Sequence, residues 1–131
     1  MTAPSKLDAG RLTHVADLAA EKLSVARATF EAMRELADAL KAARAAVGVA
    51  EQDLYRALPS QRGYFENALA KARAALETAE AAFKAANAKY ENATAASETA
   101  GRLHAACREY AIQQGLIAHP QGGLIQKEAV A

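Results

Sequence analysis

The sequence predicts an all-α fold: a long antiparallel two-helix coiled-coil hairpin with an alanine-rich seam, followed by a non-helical C-terminal tail. Three observations carry that prediction. Alanine supplies 37 of the 131 residues, against 24 for Leu, Ile, Val and Phe combined. Apolar residues recur every seven positions along two stretches of similar length. Between those stretches lies Leu58-Pro-Ser-Gln-Arg-Gly63, where helix-breaking residues gather. Alanine favours helix at almost no entropic cost but buries little area. The 52% hydrophobic content therefore overstates the core. Such a chain builds long helices rather than a thick interior.

The first helix is expected from about residue 6 to about residue 57. Ser5 followed by Asp8 reads as a capping box that opens it. One apolar column then runs Leu12, Ala19, Ala26, Met33, Leu40, Val47 and Leu54. A second runs Ala16, Leu23, Phe30 and Ala37, and hands over to Leu36, Ala43, Ala50 and Ala57 on the adjacent position. Gly48 costs about 1 kcal/mol in a helix interior but breaks no phase.

The turn is expected at 58–63. Pro59 disfavours helix at Leu58, Ser60 can cap the second helix, and Gly63 adds backbone freedom. The second helix is expected over about 64–114. Its small column is Phe65, Ala72, Ala79, Ala86, Ala93, Ala100 and Cys107; its large column is Leu69, Leu76, Phe83, Tyr90 and Ser97. Small positions beside large ones let two helices approach closely. Thr94, Ser97, Thr99 and Gly101 lower helix propensity, so the sequence allows a kink or restart near 92–101.

Two helices joined by a short turn pair antiparallel. At 1.5 Å per residue each arm is roughly 75 Å long, and paired positions sum to roughly 121. That register sets Leu40 near Ala79 to Phe83, and Met33 near Ala86 to Tyr90. Gly115 is a natural stop. Residues 1–114 thus form the hairpin and residues 115–131 an extended tail. The tail repeats Gly-Leu-Ile around a Pro-Gln-Gly-Gly break. Its Leu116, Ile117, Leu124 and Ile125 suit docking onto a partner, for example along a sheet edge.

Charge excludes several classes of function. Residues 1–58 carry eight charges of each sign, and residues 59–114 carry seven basic and six acidic. No segment has the single-sign excess of a nucleic-acid binder or a polybasic membrane anchor. No apolar run approaches a membrane span, and the first residues lack the apolar stretch of a secretory signal. A cytoplasmic or virion location is expected. Cys107 is the single cysteine, so an intramolecular disulfide is excluded. The antiparallel register brings His14 near His104 and Cys107. His14 belongs to the face away from the core, His104 to a flank, and no fourth ligand converges, so no metal is expected. Acidic residues alternate with basic ones at helical spacing, as in Glu80/Lys84 and Arg34/Asp38, in the manner of solvated pairs. With no nucleophile elbow or phosphate loop, neither catalysis nor a cofactor is expected.

Two places are left for function. Four of the seven aromatics lie elsewhere along the arms, but Tyr55, Tyr64 and Phe65 gather at the turn with Arg56, Leu58 and Arg62. Tyr and Arg are typical interface anchors; the alternative is a plug that seals the end of the coil. The tail is the second place. Alanines outside the seam, such as Ala42, Ala45, Ala46, Ala74, Ala81 and Ala88, offer flat faces to a further subunit or to a second copy. The expected function is a non-catalytic structural or assembly subunit of a larger protein complex. An alanine-rich hairpin with an apolar end is similar in composition to small phage virion and assembly proteins. It also resembles, more loosely, subunits of bacterial secretion devices and granule-coating phasins. The alternatives are accordingly an amphipathic surface-coating protein and a transient assembly chaperone.

Overall fold

The computed structural model describes residues 9–116. Helix α1 is Ala9–Arg56 and helix α2 is Arg62–Gln113, and the two pack against each other as a hairpin. The capping box at Ser5 and Asp8 lies outside the described residues, as do Ile117, Leu124 and Ile125 of the tail. Helix α2 crosses 92–101 unbroken, so the break that the sequence allows there is absent. Thr, Ser and Gly each cost only tenths to about 1 kcal/mol in a helix, and the surrounding alanines favour continuation.

The chain divides into two compact units. One is Ala26–Ala93; the other joins Met1–Val25 to Thr94–Ala131, and is described through residues 9–25 and 94–116.

In the 26–93 unit, the helices run antiparallel in the expected register. The Phe30 and Tyr90 rings meet at 5.5 Å, inclined by 56°. Glu51 Oε2 lies 3.6 Å from Arg73 Nη2. Thr29, Ala32 and Leu36 share a groove with Ala82, Ala86 and Lys89. Along α1, Ala26, Met33, Leu40, Val47 and Leu54 are all buried or half-buried, as expected. The columns of α2 are likewise withdrawn from solvent, with Leu69 and Ala86 the most buried.

The second column of α1 corrects the sequence reading. It does not change phase midway. In this unit it is Thr29, Leu36, Ala43, Ala50 and Ala57, all half-buried, while Phe30 keeps 39% of its surface exposed. A handover by one residue would turn the seam by about 100° around the helix, which alternating three- and four-residue spacing forbids. Thr29 tolerates its place because its hydroxyl donates to the Ala26 carbonyl at 2.9 Å. Phe30 instead reaches Tyr90 from the side.

In the other unit the same spacing places Leu12, Val15, Ala19 and Lys22 on the seam side of α1, and Leu23 is 42% exposed. Their counterparts on α2 are Ser97, Ala100, His104, Cys107 and Ala111, none of them exposed. His104 is thus half-buried in the large column, seven residues beyond Ser97, and not on a flank. Lysine suits such a position because its aliphatic stem covers apolar surface while its ammonium reaches water. Ala111, at 1%, is the least exposed described residue.

Both ends of α2 have identifiable caps. Leu58 is extended (φ −73°, ψ 154°), as a residue before proline must be, and Pro59–Gln61 form one 3-10 turn. Gln61, rather than Ser60, closes it. Its amide donates to the Leu58 carbonyl at 2.8 Å, and its side-chain oxygen accepts a long 3.5 Å bond from the Leu58 amide. At the other end Gly115 has φ +71°. The Leu116 amide donates to Ala111 O at 2.8 Å and the Gly115 amide to Ile112 O at 3.0 Å. That pair of bonds is a Schellman cap, and it confirms Gly115 as the stop.

Candidate functional site

The turn of the 26–93 unit concentrates exposed apolar surface. Tyr55, one residue before the end of α1, is 91% exposed; Tyr64, in the first turn of α2, is 73% exposed. Leu58 between them is 61% exposed because its extended backbone, imposed by Pro59, turns it away from both helices. Arg56 and Arg62 are also exposed. Arg62 Nε donates to Glu66 Oε1 at 3.1 Å, one helical turn away, which holds the guanidinium along the first turn of α2. Tyr64 meets Phe65 edge-on, with ring centroids 5.1 Å apart and planes at 84°.

The two roles open to this cluster fall on different residues. Phe65 occupies the seam and is half-buried, so it acts as the plug. Tyr55, Leu58 and Tyr64 face solvent, Tyr64 touching Phe65 only by its ring edge. A large aromatic residue left outside a packed interior is available for contact, and Tyr and Arg are both enriched among the residues that dominate interface energetics. Sequence reasoning named these residues together but could not divide the half-buried Phe65 from the exposed tyrosines. Leu58 gains its prominence from the single proline after it, and that signal is readable in the chain.

In the tail, Leu116 is the one docking candidate among the described residues. It is 50% exposed and oriented by the cap at Gly115.

Metal-ligating types do not converge: among the described residues no group of three His, Cys, Asp or Glu side chains could hold a metal ion. His14 is exposed, whereas His104 and Cys107 are half-buried. No buried side-chain polar atom lacks a partner among those residues. Glu80, Lys84, Arg34 and Asp38 are exposed, and neither of these pairs closes to an ion pair. No helix among the described residues is long and apolar enough to cross a membrane.

Fold and turn together define an alanine-seamed helical hairpin with an aromatic tip. Comparison with family models, curated proteins and solved structures found no match to this chain.

Proposed function

We propose that this chain is a non-catalytic structural subunit of a larger protein assembly, docking through its turn and its C-terminal tail. The observation that carries the reading is the exposure of Tyr55 and Tyr64, 91% and 73%, beside Arg56 and Arg62. Two tyrosines and a leucine held in water lose hydration cost only when a partner covers them. The paired helices support the turn rigidly, while Leu116 begins an apolar tail whose Ile117, Leu124 and Ile125 lie outside the described residues. A phage particle is the assembly that the composition most resembles.

The test is co-sedimentation with the high-mass fraction of the source cells or particles. Tyr55→Ser with Tyr64→Ser, and separately deletion of 116–131, should shift the chain to the light fractions while helicity by circular dichroism stays nearly unchanged. Normal co-sedimentation of both variants would remove the docking reading. Recovery of the chain with floated lipid vesicles would favour a surface coat instead.

A further inference from the structure

One flank of the unit described through 9–25 and 94–116 keeps large apolar side chains in water. Leu18 and Val25 stand seven residues apart on α1, and Ala96, Leu103 and Tyr110 stand seven apart on α2, so each set follows one face of its helix. Leu18, Lys22, Ala96, Ala100 and Leu103 line a shallow groove between the helices, with Thr99 on its α2 wall. Val25 is 46% exposed, Leu103 48% and Tyr110 43%. The last described residue, Leu116, is 50% exposed, and its amide donates back to the Ala111 carbonyl. The chain therefore leaves α2 already turned back over the final turn.

We propose that Leu124 and Ile125 of the chain's own C-terminal tail dock in this groove in the free protein, with the tail running back along α2. Three arguments select that occupant. The first is reach. At 1.5 Å per residue, Leu103 and Ala96 lie about 15 and 25 Å back from the end of α2. Leu124 and Ile125 follow Leu116 by eight and nine residues, which span at most roughly 30 Å. The second Gly-Leu-Ile can thus arrive at the groove with slack for the Pro-Gln-Gly-Gly break.

The second argument is chemistry. From Leu116 to Ile125 the sequence holds no Asp, Glu, Lys or Arg, and His119 is its one titratable side chain. Lys127 and Glu128 come only after the apolar pair, so docking buries no charge of the tail. On the groove side Lys22 is the one charged lining residue; Arg11, His14, Glu21, Arg102 and Glu109 border it by helical position, with both signs present. The third argument is concentration. A segment tethered by a few residues meets its site at an effective concentration on the order of millimolar, above that of any partner in dilute solution. The proposal concerns the free chain and does not rest on the docking reading. Where the tail also serves a partner, that partner must first draw it out of the groove, so the groove regulates the docking.

Disulfide trapping on the purified full chain tests it, in a Cys107→Ser background. Thr99→Cys with Leu124→Cys should close an intramolecular bridge under mild oxidation roughly tenfold faster than Ala105→Cys with Leu124→Cys. Ala105 is exposed on the opposite flank and nearer the tail's origin, so tether length alone would favour the control. Separately, Leu124→Ser with Ile125→Ser should shift the methyl resonances of Leu18, Val25 and Leu103 and leave those of Leu40 and Leu69 in place. Equal closure rates, or groove methyls indifferent to the serine pair, would overturn the proposal. So would bridges that form only between chains, which would assign the groove to the tail of a second copy. Co-sedimentation with an assembly is untouched by any of these results, so the two readings fail separately.

Discussion

Leu40 and Leu23 are the same residue type on the same helix, and the seam assigns them opposite fates. Leu40 keeps 7% of its surface exposed, Leu23 keeps 42%. Truncation of either to alanine removes about three carbons, worth roughly 2.4 kcal/mol when fully buried. Scaled by burial, Leu40→Ala loses about 2.2 kcal/mol of transfer energy. A cavity term adds to this, because the facing residues of α2 at that level include the small Ala79 and cannot expand into the space, giving about 3 kcal/mol in all. Leu23→Ala loses about 1.4 kcal/mol and leaves no enclosed cavity, while the better helix propensity of alanine returns a few tenths. The expected costs are therefore about 3 and about 1 kcal/mol, which separates the two melting temperatures by several degrees. Urea unfolding read by helical circular dichroism measures both, at one fixed protein concentration so that self-association does not intrude. Equal destabilisation by the two variants would refute the seam register through Thr29 and Leu36 and restore the column through Leu23 and Phe30.

The backbone and the uneven seam lead to three further outcomes. A Cβ placed on Gly48 meets nothing within 4 Å, so Gly48→Ala should stabilise the chain by about 1 kcal/mol, read from the urea midpoint. Gly115→Ala should do the reverse by about 1 kcal/mol, since φ +71° suits glycine and strains any other residue. Amide hydrogen exchange should be slower around Leu40, Leu69 and Leu76 than around Lys22 and Ser97. The 26–93 unit carries large apolar seam residues on both helices, whereas the other places lysine, serine and histidine in its columns. Uniform protection along both helices would contradict that account.

Much of the hairpin was legible in the chain. Pro59 marked the turn, whereas Gly63, expected in it, lies in the first turn of α2; Gly115 marked the end of α2, and the α2 columns could be read directly from Leu69 to Tyr90, where large and small residues alternate. On α1 the same method failed at Leu23 and Phe30, which are exposed, although Ala16 and Ala37 of the same expected column are half-buried. The true column passes through Lys22 and Thr29, and a search for apolar residues steps over both to the neighbouring Leu23 and Phe30. His104 escaped for the same reason. Its polar ring argued for a flank, although its spacing from Ser97 and Ala111 places it in the seam.

The turn divides along the same line. Sequence alone determined that the chain is a helical hairpin, where it reverses, and that aromatic and basic residues lie close in sequence around the reversal. These features arise from local propensities and from periodicity, which act within a few residues. Tertiary pairing decided which residues of each helix face the partner. It also decided that Phe65 turns inward while Tyr55 and Tyr64 remain outside, and that Glu51 and Arg73 meet across the helices. An alanine-rich helix is nearly as apolar on one side as on another, so its own pattern fixes the seam only loosely. The second helix supplies the remaining constraint, because a single phase must satisfy every turn of both.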